Sequence, residues 1–146
     1  MKKKKNVLIF SLIILAILSG TLFLLHQRGN PKEQRKEPFF LEIGYEVNDS
    51  NMRIIHPKTT FDRSRPLLLL AVFNKIRGND NVVSTVKVVS KSTNQIEQEY
   101  SWRESEYSSQ MQISLENTSW SPGEYTIVWE RDGVIVADVD LKLLLK

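Results

Sequence analysis

Residues 120–143 read WSPGEYTIVWERDGVIVADVDLKL, and this stretch decides the fold. Before Asp132-Gly133 and again after it, apolar residues recur at every second position, as in a strand with one buried face. The dipeptide itself favours the type I′ turn of a two-residue β-hairpin. The residues expected to point into a core are Tyr125, Ile127, Trp129, Ile135, Ala137, Val139, Leu141 and Leu143. The stretch therefore predicts an antiparallel hairpin, with Asp138, Asp140 and Lys142 facing water.

The same alternation extends upstream to residue 39. Residues 39–47 predict a half-buried strand whose Glu42, Gly44 and Glu46 face away from the core. Leu67–Phe73 is apolar on both faces, which favours a central strand covered on both sides. Further strand patterns occupy residues 52–56, 82–88, 96–103 and 110–115, and in the third of these Ile96, Gln98, Tyr100 and Trp102 share a face.

An isolated sheet would leave these apolar faces in water, so a second layer must cover them. About seven strands in residues 39–146 predict an all-β fold, an antiparallel sandwich of two sheets. A barrel is the alternative. After residue 38 no segment has helical periodicity.

The corner at residues 120–128, followed by Asp132-Gly133, resembles the last hairpin of immunoglobulin-like and fibronectin type III-like domains. In those families a Pro-Gly corner leads into a tyrosine whose hydroxyl hydrogen-bonds back to the backbone, and the resemblance implies this role for Tyr125. Ile127 stands where a true immunoglobulin domain has its second cysteine, and the absence of cysteine departs from the antibody pattern. The resemblance implies an immunoglobulin-like sandwich and no particular activity.

The N-terminal segment predicts a membrane anchor. After Lys2–Lys5, residues 7–25 are almost wholly apolar, and as a helix they are roughly 28 Å long, close to the hydrocarbon thickness of a bilayer. We therefore expect a basic tail at 1–6, a transmembrane signal-anchor helix at 7–25 and a polar linker at 26–38. The competing interpretation is a cleaved signal peptide, but the run is long and has no small-x-small site.

The distribution of basic residues indicates the orientation of this anchor. Cytoplasmic flanks carry an excess of lysine and arginine, and Lys2–Lys5 form a dense cluster directly before the span. Arg28, Lys32, Arg35 and Lys36 follow it at a distance. The pattern favours a cytoplasmic N-terminus and an extracytoplasmic domain in the cell membrane. The opposite topology, with the domain in the cytosol, is the alternative.

The net charge of +3 comes from this N-terminal segment. In residues 38–146, acidic side chains outnumber basic ones. The basic isoelectric point is therefore not a property of the folded domain and does not indicate nucleic acid as a partner.

Few residues in the domain offer catalytic or metal-binding chemistry. The chain has no cysteine, which excludes a thiolate nucleophile, a disulfide and cysteine-ligated zinc. His56 is the only histidine after the linker, and no nucleophile-elbow motif accompanies it. We expect no catalytic residue, no cofactor and no resident metal.

The candidate binding residues lie in loops and at strand ends. Phe61, Arg63 and Arg65 combine a ring with positive charge in the polar stretch 57–65, and residues 74–81 form a second candidate loop. Tyr107 and Trp120 lie near strand ends, where we expect their rings to be exposed.

The sequence favours a non-enzymatic binding or accessory module of the cell envelope. Its expected partners are membrane lipid, through the N-terminal helix, and an envelope protein or cell-wall glycan. One alternative is a carbohydrate-binding surface module that uses the rings of Trp102, Tyr107, Trp120 and Trp129. A second is a small carboxylate-dependent enzyme. The pairs Glu97/Glu99 and Asp138/Asp140 each lie two apart on one face of a strand, where they could meet a hard cation such as calcium, but a solvated face is the simpler interpretation.

Overall fold

The structure is a computed structural model that describes residues 37–145. The predicted tail, anchor helix and nearly all of the linker lie outside these residues. Within them, no helix is long and apolar enough to cross a membrane. The strands are β1 (Phe39–Gly44), β2 (Val47–Asn48), β3 (Arg53–Ile54), β4 (Thr60–Asp62), β5 (Leu67–Phe73), β6 (Val83–Ser90), β7 (Ile96–Arg103), β8 (Gln110–Leu115), β9 (Gly123–Arg131) and β10 (Val134–Leu144).

Two sheets form a sandwich. The first has three strands in the order β1-β5-β8, and the second has five in the order β4-β10-β9-β6-β7. All pairs in the two sheets are antiparallel except β4 with β10, which is parallel. The predicted sandwich is confirmed. Its strand order is that of an immunoglobulin-like fold in which β7 pairs with β6 at the end of the second sheet, so that the first sheet ends at β8.

The core between the sheets consists of the alternating apolar residues that the sequence indicates. Phe39, Phe73 and Trp129 meet edge to face, with ring centroids 5.0–5.8 Å apart. In β6, which falls on the predicted strand 82–88, Ser84, Val86 and Val88 are buried on one face. This packing makes the ends of β1, β5 and β9 one continuous aromatic cluster.

The last hairpin has the predicted geometry. Asp132 and Gly133 both have positive φ, 48° and 80°, as a type I′ turn requires. The Tyr125 hydroxyl donates a hydrogen bond to the carbonyl oxygen of Ser121, which is the tyrosine corner that the resemblance implies. Ile127 is fully buried, so an aliphatic side chain occupies the position of the missing cysteine.

A second, smaller core lies on the outer face of the first sheet. The β2–β3 hairpin folds over this face, and the second core consists of Phe40, Ile54, Leu70 and Val72. A Cβ added at Gly44 would lie 2.3 Å from Cγ2 of Ile54, so the hairpin can approach this closely only at a glycine. The prediction that β5 is covered on both sides is therefore confirmed.

The same hairpin overturns the prediction for β1. Glu42 was expected to face water, but it is only 5% exposed. Arg53 of β3 donates to both of its carboxylate oxygens, at 2.9 and 2.6 Å, and covers the Phe40 ring at 4.7 Å. Because the cover comes from a separate hairpin, the alternation within residues 39–47 contained no sign of it.

Two β-bulges change which residues face the core. The register of β10 shifts between Ile135 and Ala137, and Ile135 is exposed although it was predicted to be buried. The register of β7 shifts near its start, so Ile96 pairs with Val89 and is exposed instead of sharing the face of Trp102. In both cases the extra residue of the bulge turns the side chains beyond it to the opposite face of the sheet.

Candidate functional site

Four of the five predicted binding residues come together at one end of the sandwich. Arg63 donates a hydrogen bond from Nη1 to the carbonyl of Trp120, next to the loop that carries Arg65. Asn117 holds that loop by accepting from the amide of Leu67. Tyr107 precedes β8 whereas Trp120 follows it, so Tyr107 lies at the opposite end and does not join them.

Two of these residues are buried, although Trp120 was predicted to be exposed and Phe61 to lie in a loop. Phe61 is only 5% exposed because β4 joins the second sheet, and its ring packs edge to face on Tyr45 with centroids 5.2 Å apart. Trp120 is only 4% exposed and packs against the ring of Tyr125. Both rings contribute to the core rather than to a surface.

Arg63, Arg65 and Tyr107 remain at least partly accessible. The Arg65 guanidinium lies 4.1 Å from the centre of the Tyr45 ring and pairs with Glu46 at 3.2 Å. The Nε of Arg63 is buried without a hydrogen-bond partner in the described part of the chain. Tyr107 is 79% exposed, in the loop between β7 and β8.

This geometry gives little support to a carbohydrate-binding module or to a carboxylate-dependent enzyme. Trp102, Trp120 and Trp129 are all buried, so they form no aromatic platform. Asp138 pairs in register with Val128, which puts it on the outer face of the second sheet. Burial, and next the charge of Asp140, raise the pKa of Asp138, while Asp140 itself binds Lys91 at 2.8 Å.

A buried polar network that the sequence analysis missed is centred on Glu104. Arg131 donates to its two carboxylate oxygens at 2.6 and 2.7 Å, and the Ser84 hydroxyl donates to Oε1 at 2.7 Å. The Trp129 indole donates to Ser84, and the amide of Asn79 donates to Oε2. Burial acts to raise the pKa of Glu104, but these hydrogen bonds outweigh it and the pKa is lowered.

This network is structural, because every group in it is bonded to another. It ties residues 74–81 to the loop after β7 and to β9. The signal for it is present in the sequence: Ser84 lies between inward-facing valines, and Glu104 continues the inward series of Tyr100 and Trp102. A polar residue at an inward position calls for a buried partner.

The most distinctive surface is the side of the sandwich between β7 and β8, which we call the open rim. These two strands are the last members of their sheets, so each has one edge with no neighbouring strand among the described residues. Gln98 of β7 bridges them. Its side-chain amide donates to the carbonyl of Ser114 at 2.9 Å and accepts from the amide of Glu116 at 3.0 Å.

The open rim is partly aromatic and mostly acidic. Tyr100 is 43% exposed and lies beside the ring of Trp102, with centroids 5.9 Å apart. The exposed charged side chains on β7, on β8 and in their flanking loops are Glu97, Glu99, Arg103, Glu106 and Glu116. In the part of the chain that the structure describes, no group of three or more histidine or acidic residues is arranged to hold a metal ion.

Comparison with known proteins identifies no family. No family model and no curated protein matches the sequence. Among solved structures, the chain is similar to an immunoglobulin-like protein from Pseudomonas aeruginosa, with 10% identity and a TM-score of 0.49. The match covers 71% of this chain and 91% of that one.

Proposed function

We propose that the protein is a membrane-tethered, non-enzymatic binding module of the cell envelope, with its immunoglobulin-like domain on the extracytoplasmic side. The observation that carries the non-enzymatic part is the use of the buried polar side chains. Glu104, Glu42 and Ser84 are held by Arg131, Arg53 and Trp129 in contacts that join elements of the fold. None of them is left to act on a substrate.

The tether is supported by the sequence. Residues 7–25 have the length and apolar character of a membrane span, and Lys2–Lys5 precede them directly. The 13-residue stretch 26–38 that follows is polar and contains Pro31 and Pro38, which suits a spacer between a bilayer and a domain. An anchored domain of this kind is suited to presenting a surface to a partner.

Protease treatment of intact cells or spheroplasts tests the tether and its orientation. A C-terminally tagged full-length chain should be digested from outside while a cytosolic marker protein stays intact, and before digestion it should run at full size in the membrane fraction. A matched variant with Lys2–Lys5 replaced by Gln should show mixed or reversed orientation, because the cytoplasmic flank then loses its positive charge.

Each other result changes the proposal in a specific way. Protection until lysis would place the domain in the cytosol and contradict the orientation. A shorter species released into the medium would identify residues 7–25 as a cleaved signal and contradict the anchor.

A further inference from the structure

We propose that the open rim binds an extended, basic segment of a partner polypeptide, which adds to the free edge of β8 as a new strand. This inference deepens the proposed binding function and rests on it. The register of β8 determines the direction of its backbone hydrogen bonds.

The register leaves the even-numbered residues of β8 directed away from β5. The amide of Phe73 donates to the carbonyl of Ser109, so this pair is hydrogen-bonded across the two strands. Hydrogen-bonded pairs alternate along an antiparallel ladder, and residues 111 and 113 therefore also bond to β5. The backbone N–H and C=O groups of Gln110 and Gln112 consequently point to the free edge, as a strand-adding partner requires.

Gln98 shows that this edge accepts a partner. Its amide donates to the carbonyl of Ser114 and accepts from the N–H of Glu116, two residues further on, as the N–H and C=O of one residue in a parallel neighbouring strand would. Gln98 thus occupies the end of the edge at Ser114 and leaves Gln110 and Gln112 uncovered. We infer that an incoming strand displaces the Gln98 side chain and extends the ladder over the whole of β8.

The inner face of β7 favours addition to β8 rather than to β7. Tyr100 and Trp102 pair with Val86 and Ser84 and so face inward, yet Tyr100 remains half exposed. The indole Nε1 of Trp102 is buried and has no acceptor in the described part of the chain. A strand added to β8 would cover these rings, in the place where the constant-type immunoglobulin fold has its fourth strand. A strand added to β7 would cover neither ring.

Charge selects the kind of partner. Four exposed acidic side chains surround the rim: Glu97, Glu99, Glu106 and Glu116. On β7, on β8 and in the loop that connects them, Arg103 is the only exposed basic side chain. A second copy of the chain would bring the same acidic groups together, and like charges across a strand pair are unfavourable. A segment that alternates basic and apolar residues presents lysine or arginine to the glutamates and apolar side chains to Tyr100.

The test uses the full-length, isotope-labelled chain in detergent micelles and two synthetic heptapeptides. The probe is acetyl-Lys-Val-Lys-Val-Lys-Val-Lys-amide, and its control carries Glu in place of each Lys. The probe should shift the NMR signals of the Gln110, Gln112 and Ser114 amides and slow their hydrogen exchange about tenfold or more, because each gains a hydrogen bond. The acidic peptide should do neither.

Three variants separate strand addition from non-specific attraction. Gln112→Pro removes an N–H that points to the free edge and should weaken probe binding about tenfold, whereas Gln112→Thr keeps the N–H and the affinity. Gln98→Ala removes the competing amide and should strengthen binding about threefold. General charge attraction would leave Gln112→Pro and Gln112→Thr equal.

Four results would overturn the inference. The first is equal binding of the two peptides, and the second is a response confined to the outward amides of β7 at Glu99, Ser101 and Arg103. The third is concentration-dependent self-association that Gln112→Pro abolishes, because the occupant of the rim is then a second copy. If protease digestion places the domain outside the cell but the β8 amides ignore the probe, the tether stands and this inference fails.

Discussion

The strands that end the two sheets make different contacts on the two sides of the sandwich. On one side, β4 pairs with β10, and Phe61 of β4 is buried against the ring of Tyr45; we call this side the closed rim. On the open rim, β7 and β8 both end their sheets, and the side chain of Gln98 spans them with two hydrogen bonds. At the closed rim, β1 and β4 also end their sheets, but Phe61 extends the core there and Ile43 of β1 accepts a hydrogen bond from the amide of Lys58. The open rim has the half-exposed ring of Tyr100 instead.

The side of the domain that contributes most to stability is therefore not the side that we propose for recognition. Unpaired strand edges are exposed to unwanted pairing, and proteins protect them with charge, bulges or cover. The open rim has a β-bulge near Ile96 and several glutamates, which discourage neutral and acidic strands and leave it accessible to basic ones. At the closed rim, β4 covers part of the β10 edge, and β4 itself ends the sheet as a strand of only three residues, which is another way to limit unwanted pairing.

The largest expected effect is at the closed rim. Phe61→Ala removes a buried ring and should lower the free energy of unfolding by about 3–5 kcal/mol, measured by urea denaturation with tryptophan fluorescence. The matched change on the open rim, Tyr100→Ala, should cost about 1 kcal/mol or less, because the ring is half exposed. Equal losses would remove the distinction between the rims.

Glu104→Gln tests the network that anchors the end of β7. It leaves the Arg131 guanidinium without its carboxylate and should cost about 3 kcal/mol at neutral pH. Because the pKa of Glu104 is lowered in the folded state, its contribution is present above the unfolded pKa and is lost as pH falls through the folded pKa. The difference between the wild-type chain and this variant should therefore shrink in acid.

A control variant removes an exposed carboxylate two residues away from the buried one, so that the effect of charge can be told from the effect of burial. Glu106→Gln, in the exposed loop that follows, should change the free energy of unfolding by less than about 0.5 kcal/mol at neutral pH. A pH-independent cost for Glu104→Gln would contradict the role assigned to its carboxylate.

Gln98→Ala measures how firmly the open rim is held. It removes two side-chain hydrogen bonds at a partly exposed site and should cost about 1 kcal/mol. Hydrogen exchange at the amide of Glu116 should quicken, while Gln112→Ala should affect neither quantity, because that side chain is exposed. An unchanged Glu116 amide would mean that Gln98 does not bridge the rim in solution.

The smallest effect is expected at Asp138. Its pKa is raised, so the folded chain holds this proton more readily than the unfolded chain and is destabilised by the ionised form above the folded pKa. Asp138→Asn should therefore stabilise by a few tenths of a kcal/mol at neutral pH, and the gain should shrink as pH falls through the folded pKa and vanish below the unfolded pKa. Asp140→Asn should show no such gain, because it breaks the pair with Lys91.

Local patterns predicted the parts of the fold that depend on neighbours in sequence. The period of two located the main strands, Asp132-Gly133 located the hairpin turn, and the Pro-Gly corner located the bonded Tyr125. Each of these features follows from a few consecutive residues. Their physical causes, pleat alternation and positive φ, act within that range.

The errors involve contacts outside the single strand or loop in which each pattern lies. Phe61 and Trp120 are buried by β4 pairing with β10 and by packing on Tyr125, and Glu42 is buried by the β2–β3 hairpin. The exposed Ile135 results from a bulge that shifts the ladder. The open rim itself depends on which strands end each sheet, and single-strand patterns do not contain that information.

Amide hydrogen exchange on the full-length chain compares the two rims most directly. The amide of Lys142 in β10 donates to the carbonyl of Thr59 at 2.7 Å, whereas the amide of Gln112 points to the free edge of β8. We predict that Lys142 exchanges roughly a hundredfold more slowly than Gln112 when both are corrected for intrinsic rates. Equal protection of Gln112 in the isolated chain would mean that its edge is already occupied, and would contradict an open rim that awaits a partner.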